Sequence, residues 1–536
     1  MPPHLPSLAV VNARIWTGSP RRPWADGLAV RGERIAAVGS SAQVRKMVDA
    51  GTRIIDARGV MLVPGFIDSH VHFMEGGFQL ASVQLRDAAT PQEFTARLEA
   101  FAGTVPSGSW ITGGDWDHEL WGGTLPTHEW IDAATARNPV WINRLDAHMS
   151  LANSLAMHAA HVDAQTPDVE GGTIVRDADG NPTGIFKDNA RRLIDAAVSA
   201  PTPEREDAAL DAAMHHVAAL GVTSVVHMGT WPQLAIFERA HAAGRLITRI
   251  YAAVPLDSWA RLRDRVAAGG RGDARLRIGL LKGFADGSLG SQTAAFLQPY
   301  SSAPHDSGLL VTPPDALYEW TREADHAGLQ VAIHAIGDRA VREVLNIYER
   351  AERANGTRDR RFRMEHAQHI APADLPRFAE LQVVASMQPI HAIDDGRWAE
   401  KVIGAERIAT AYACHSLLAH HTRLAFGSDW NVAPPTPLEG IYAAVTRRTR
   451  DGLHPEGWVP EQKIGVDDAL RAYTMGGAYA ECQEREKGTL ESGKLADFVL
   501  IDRDITRIPP AEIRDARVLM TVVGGAPVYE EAGCWE

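Results

Sequence analysis

PGFIDSHVH, residues 64–72, reads as a short apolar strand closed by two histidines. Pro64 and Gly65 break the chain before it, and Phe66, Ile67 and Val71 favour extended backbone. The two-residue period of a strand turns His70 and His72 to one face, where a single metal ion could take both imidazoles. Runs of the same kind recur down the chain as TSVVHM, TRIYAAV, IGLLKGF, VAIHAIG, RFRMEH, VVASMQ and RLAFGSD. Amphipathic helical stretches such as DAALDAAMHHVAALG and DALYEWTREADHAG lie between them. Eight strands in alternation with helices predict an α/β fold of the TIM-like (β/α)8 barrel type.

Residues 1–62 alternate β-rich runs with turns, and that texture returns in 478–536. Neither piece can bury both of its faces alone, so the two chain ends are expected to form one composite β-sandwich beside a barrel of residues 63–477. Residues 75–190 are rich in Gly, Trp and Asp and hold one further β-like run, NPVWINRLD. They are expected to form an insertion after the first barrel strand that acts as a lid over the active site.

The 536 residues carry 67 acidic against 54 basic side chains, a formal charge of −13, and 45% of them are hydrophobic. That composition excludes wholesale disorder, and an acidic balance without a Lys/Arg run gives no footprint for nucleic acid or an anionic membrane. Cys414, Cys482 and Cys534 are too scattered for a disulfide framework or a thiolate metal site. Without a leader pattern or an apolar run of about 18 residues, a soluble cytoplasmic protein is expected. Its partner would be a small-molecule substrate, with a homodimer as the default assembly.

In such barrels the reactive side chains project from the C-terminal ends of different strands. His70, His72, Lys282, His334, His366 and Asp429 all fall late in theirs. Any one alone reads blandly, since a lone buried histidine is more often a satisfied core residue and a strand-end aspartate a helix cap. At matching ends of five strands they point to a metal site of imidazole and carboxylate ligands, for which Zn2+ is the first choice when thiolates are absent. Asp68 either orients a ligand histidine through its second nitrogen or bonds backbone in a turn. His227, ending the second strand, and His391, after SMQP, stand where substrate would be touched.

PGFIDSHVH, KGFADGSLGSQTAAF, HAIGD, RMEHAQHI, ASMQPIHA, FGSDWNV and KGTLESGKLADFVLID together resemble the metal-dependent amidohydrolase superfamily, specifically its YtcJ-like branch, amidohydrolase family 3. The resemblance implies one or two divalent metals and hydrolysis of carbon–nitrogen bonds other than peptide bonds. It assigns His70 and His72 as first-strand ligands, Lys282 as the bridge, His334 and His366 as second-metal ligands, and Asp429 as ligand and catalytic acid–base. His369 competes with His366, which is preferred because it ends the apolar strand. A carboxylated Lys282 is implied too, because a free ammonium has no lone pair for a metal; a lysine paired with Asp286 is the other reading. A metal-activated hydroxide would attack the substrate carbonyl, with Asp429 moving its proton to the leaving nitrogen.

The insertion holds Trp110, Trp116, Trp121, Trp130 and Trp141, which form either its own core or an apolar lid. GGDWDHELWGGTLPT is the best lid segment, and Trp116 is the ring expected to meet substrate. Arg144 and His148, in RLDAHMS, match a branch motif and are expected to reach the pocket. A small hydrophobic substrate follows from such a lid. Similarity to N-substituted formamide deformylases within the branch implies an N-acyl or N-formyl bond. Carbamate, ester or lactone hydrolysis is the alternative at the same site, and an inactive binding or regulatory protein retaining the barrel is a second alternative.

Overall fold

The computed structural model describes residues 6–535; Met1–Leu5 and Glu536, the outer edges of the two terminal segments, lie outside the description. Eight strands follow one another in chain order around one sheet. They are β1 (Phe66–Val71), β2 (Val222–Met228), β3 (Arg249–Pro255), β4 (Leu276–Phe284), β5 (Gln330–Ala335), β6 (Arg363–His366), β7 (Val384–Met387) and β8 (Leu424–Phe426). All neighbours pair parallel, and the strands are buried almost without interruption, as helix-covered barrel strands must be. Helix Pro203–Ala219 shows how the outer layer forms. Thr202 caps it by accepting the Arg205 N–H, and Leu210, Met214 and Val217 recur at helical spacing to bury one stripe.

The sheet closes where the histidines stand. Asp429 N–H donates to the His70 carbonyl (2.7 Å) and His72 N–H to the Trp430 carbonyl (2.5 Å), so the chain after β8 returns to β1. Register aligns Phe284 with His334 and Ala335 with His366, bringing the ends of β4, β5 and β6 to one level.

Between β1 and β2 the chain builds a six-stranded sheet of its own, from Val83–Gln84 to Pro182–Asp188. Sequence shows one of these strands, Val140–Arg144. The rest are short or broken by glycine, as Ile111–Trp116 is at Gly113 and Gly114, where φ is 87° and 101° and a period-two pattern fails. Trp116 is not a lid ring. It is fully buried, packs with Phe94, Leu98, Ile142 and Leu151, and donates its Nε1–H to the Ile142 carbonyl at 3.1 Å. The other four tryptophans pack in or against the insertion's two apolar cores, where such large rings find cover.

The N-terminal residues form a four-stranded sheet of Leu8–Val11, Gly27–Arg31, Arg34–Gly39 and Arg53–Asp56. A second, six-stranded sheet mixes the chain ends: Phe498–Ile501 pairs antiparallel with Met61–Pro64. Leu8, Leu28, Leu62, Phe498 and Met520 fill the layer between the sheets. A buried bidentate ion pair, Arg249 with Asp497 (2.7 and 2.8 Å), fastens them to the start of β3, at the opposite end of the barrel from the histidines. Among the described residues no helix is long and apolar enough to cross a membrane.

Candidate metal centre at the barrel mouth

His70 and His72 leave β1 with their rings 5.7 Å apart, and both Nε2 atoms stand 3.3 Å from Asp429 Oδ1. Alternation along RMEH would put Glu365 and His366 on opposite faces, yet both side chains reach the mouth: Glu365 meets His70, and His366 Nδ1 lies 3.9 Å from Asp429 Oδ2. Left-handed backbone at His366 (φ 74°) allows this, and Asp429 is delivered the same way (φ 61°). Two groups with ligand atoms within 4.8 Å of one another result, His70–His72–Asp429 and His366–His391–Asp429, and they share one carboxylate. His391, expected at the substrate, comes from helix Pro389–Asp395 after β7 and stands within that distance of His366 and Asp429. His334 packs against His366 with ring centres 4.5 Å apart, and its Nε2–H donates to the Gly287 carbonyl at 2.9 Å, which leaves Nδ1 as its lone-pair nitrogen.

Buried polar atoms in folded proteins almost always have partners. Four here do not: His70 Nε2, His391 Nε2, Asp429 Oδ1 and Lys282 Nζ. The second nitrogens of the histidines are tied down. His70 Nδ1–H donates to Glu365 (2.6 Å), His366 Nδ1–H to Gln388 Oε1 (2.9 Å), and His391 Nδ1 accepts from the Gln368 amide (3.4 Å). A ring N–H donated to protein with the other nitrogen left free is the wiring of a metal-binding imidazole, and His70, His366 and His334 have it, whereas His391, whose Nδ1 accepts, carries its proton on Nε2.

Electrostatics agree. Burial, aided by the Lys282 charge, pushes His70 down to about 4, and burial holds His366 well below the usual histidine range, so both are neutral lone-pair donors at neutral pH. Burial alone would raise Asp429, but the His70 and His72 rings beside it reverse this and hold it well below the usual carboxylate range. Burial lowers Lys282 to about 8, and its Nζ stands 4.8 Å from the centre of the Phe284 ring. Asp286 is not its partner: that carboxylate accepts the backbone N–H groups of Ala295, Ile336 and Gly337 at 2.8, 3.0 and 2.8 Å.

Glu365, and not Asp68, orients a ligand ring. Asp68 accepts from Ser428 N–H and O–H (2.9 and 2.5 Å) and from His70 N–H (3.3 Å), bracing β1 against the turn after β8. Gly427 permits that approach, since a Cβ there would lie 2.6 Å from His70 N and 2.8 Å from Asp68 Oδ1. Burial opposes ionisation of Glu365, but Arg363 at 2.8 Å and His70 hold it down at about 2. The available signal was Arg363 and Glu365, opposite charges two residues apart on an otherwise buried strand. His227 is also misplaced by sequence. Its Nδ1 accepts the Phe73 N–H (3.0 Å) and its Nε2 lies 3.2 Å from Gln233 Oε1, so it steadies the turn after His72 from behind and does not line the cavity.

A cavity of about 350 Å3 opens over His72, Lys282, His334, His366 and Asp429, and a smaller one adjoins it at His391. Its facing wall comes from the insertion, and it is polar where an apolar lid was expected. Arg144 pairs with Asp146 (2.7 Å) and Asp117 (3.5 Å), and Asp117 with Arg397 (3.1 Å). His148 Nδ1–H donates to Asp188 (2.6 Å), and its ring stands 5.0 Å from that of His334. Arg144 and His148 therefore reach the cavity, whereas the five insertion tryptophans do not line it.

Residues 53–529 match the amidohydrolase family. The chain is 40% identical to Protein LONG AFTER FAR-RED 3 of Arabidopsis thaliana, covering 97% of this chain and 91% of the relative. It is 29% identical to N-substituted formamide deformylase of Arthrobacter pascens, covering 98% and 99%. A crystal structure described as a metal-dependent hydrolase from Pyrococcus furiosus superposes with a TM-score of 0.74 at 30% identity, over 93% of this chain and all of that one.

Proposed function

The chain belongs to the amidohydrolase family, and from that premise we propose that this hydrolase cleaves an amide-type C–N bond, N-acyl or N-formyl, in a small substrate carrying polar groups. The observation that carries the reading is the convergence of His70 Nε2, His391 Nε2, Asp429 Oδ1 and Lys282 Nζ, buried and without partners, at one mouth of the barrel. These residues fit a divalent metal, and the imidazole–carboxylate set favours Zn2+. His70, His72 and Asp429 would hold one ion; His334 and His366, with His391 alongside, would hold a second that shares Asp429. Lys282 suits the bridge as a carbamate. Its lowered pKa supplies neutral amine, whose nitrogen adds to CO2 with loss of one proton to give an N-carboxylate. A bound metal supplies an activated water and a Lewis acid for the carbonyl.

This chain's own groups do the rest. Asp429, held as an anion, accepts a proton at its carboxylate and passes it to the leaving nitrogen, because an amide anion departs too poorly unprotonated. Arg144 and His148, each locked by carboxylates, orient the substrate from the insertion side. Their polarity favours a substrate with polar substituents over the hydrophobic one that the tryptophans suggested.

The test combines elemental analysis, electron density at Lys282 Nζ, and turnover of N-formyl and N-acyl amines beside carbamates, aryl esters and lactones. Amine release with the highest kcat/KM on polar amides supports the reading. Turnover confined to esters or lactones moves the chemistry to C–O bonds, and a fully metallated protein that turns over nothing is a binding protein.

A further inference from the structure

At the end of β8 remote from Asp429, a cleft of about 890 Å3 is enclosed by three stretches: residues 19–21 beside the N-terminal sheet, 418–424 leading into β8, and 468–494 running back to the sandwich. Six of its lining side chains are cationic and three are acidic, a local reversal of sign in a chain of net charge −13. Concave walls of one sign concentrate counter-ions.

Pairing separates these cations into two sets. Lys487 is bound to Glu481 (2.5 Å), Lys494 to Glu491 (3.2 Å) and Arg471 to Asp467 (2.6 Å), while the lining Glu484 is taken by Arg361 (2.7 Å). Arg21, Arg423 and Arg485 have no carboxylate within ion-pairing distance and no acceptor for their guanidinium groups among the described residues. They come from three separate segments and share the one cleft. Arg423 is also fixed in place, its guanidinium 4.2 Å from the centre of the Tyr479 ring. Independently, the wall includes Ala472, Met475 and Gly476 from the π-helical turn Ala472–Gly476, a rare backbone geometry that recurs at functional sites.

From this we propose that the cleft binds a small molecule bearing a phosphate or pyrophosphate group, at a site separate from the metal centre. Three guanidinium forks can each take two oxygens, which suits a multiply charged phosphate group better than a single carboxylate. The volume is that of a site for a drug- or nucleotide-sized ligand. Asp468, the lining acid without an ion pair, is exposed, as are Arg21, Arg423 and Arg485, so the unpaired arginines meet a ligand from the open side of the cleft.

Calorimetric titration of the full chain with inorganic pyrophosphate at low ionic strength tests the assignment. One site is expected. Arg423→Gln and Arg485→Gln should each weaken binding by about tenfold, and Arg423→Lys, which keeps charge but loses the fork, by less. Raising salt to about 0.15 M should also weaken it. His72→Ala, at the other end of the barrel, should leave the affinity unchanged. No heat up to about 10 mM pyrophosphate, equal affinity in the Arg423→Gln/Arg485→Gln double variant, or loss of binding in His72→Ala would each overturn the assignment.

Discussion

On the barrel side of the mouth cavity, His70, His391, Asp429 and Lys282 keep buried polar atoms without partners; on the insertion side, Arg144 is ion-paired with Asp117 and Asp146, and His148 with Asp188. A buried polar atom left unsatisfied costs about 1–3 kcal/mol. Four in one place are tolerable only where something else is to be bound. The paired wall carries less of that cost, because its charges largely satisfy one another before any substrate arrives and only Asp188 Oδ2 among them is buried without a partner. One wall is therefore arranged to receive a metal and do chemistry, and the other to hold a fixed pattern of charge.

Substitution should read out differently on the two walls. Asp429→Asn keeps the shape and removes the anion, and turnover is expected to fall by about 10²–10⁴. Metal content should persist, since His70 and His72 remain; activity within a few-fold of wild type would remove Asp429 from the mechanism. Arg144→Met on the facing wall leaves Asp117 and Asp146 buried without their shared cation. Urea unfolding should show a loss of about 3–5 kcal/mol, and Arg144→Met/Asp146→Asn should recover part of it. A stable Arg144→Met protein that had lost only substrate affinity would mean that the insertion wall is receptive too, and the contrast would fail.

Glu365→Gln probes the support behind the receiving wall. It removes the carboxylate that fixes His70 Nδ1 and leaves every proposed ligand in place, so metal affinity, measured by competition with a chelator, is expected to drop about 10–100-fold. An unchanged affinity would assign the orientation of His70 to its backbone alone.

The two walls were also unequally legible in the sequence. His70, His72, Lys282, His334, His366 and Asp429 fall at or just past the ends of apolar strands, so their position at the mouth followed from the sequence pattern, and the order of the eight strands followed from the alternation with helices. What periodicity could not show was left-handed backbone, which lets Glu365 and His366 reach the same mouth, or which ring near His366 has a free nitrogen. The Gly287 carbonyl, a partner 47 residues away in the chain, fixes the N–H of His334 on Nε2 and so leaves Nδ1 free. The insertion was harder still, because Gly113 and Gly114 interrupt its strand pattern and its tryptophans look alike whether they line a pocket or fill a core. Arg144 and His148 stood out only through their motif; Asp117 and Asp188, which hold them, become visible once the fold brings them together.

The finest test of the contrast is the pH response of His148. Burial alone would lower its pKa, but the hydrogen bond and charge of Asp188, helped by Asp146, raise it above the ordinary histidine value. A raised value in the folded state means that folding favours the imidazolium. The stabilisation is then fully present below the unfolded value of about 6.5 and fades as pH climbs through the higher folded value. The stability gap between wild type and Asp188→Asn should accordingly be widest near about pH 6 and narrow toward about pH 8.5. A carboxylate pair behaves in the opposite sense: Asp497, held low by Arg249, contributes at neutral pH and loses its share only in acid. Denaturant melts of wild type and Asp188→Asn at both pH values give the slope. A gap that widened with pH would mean that the fold prefers neutral imidazole, and His148 would then belong with the neutral histidines of the barrel side instead of the charged wall that faces them.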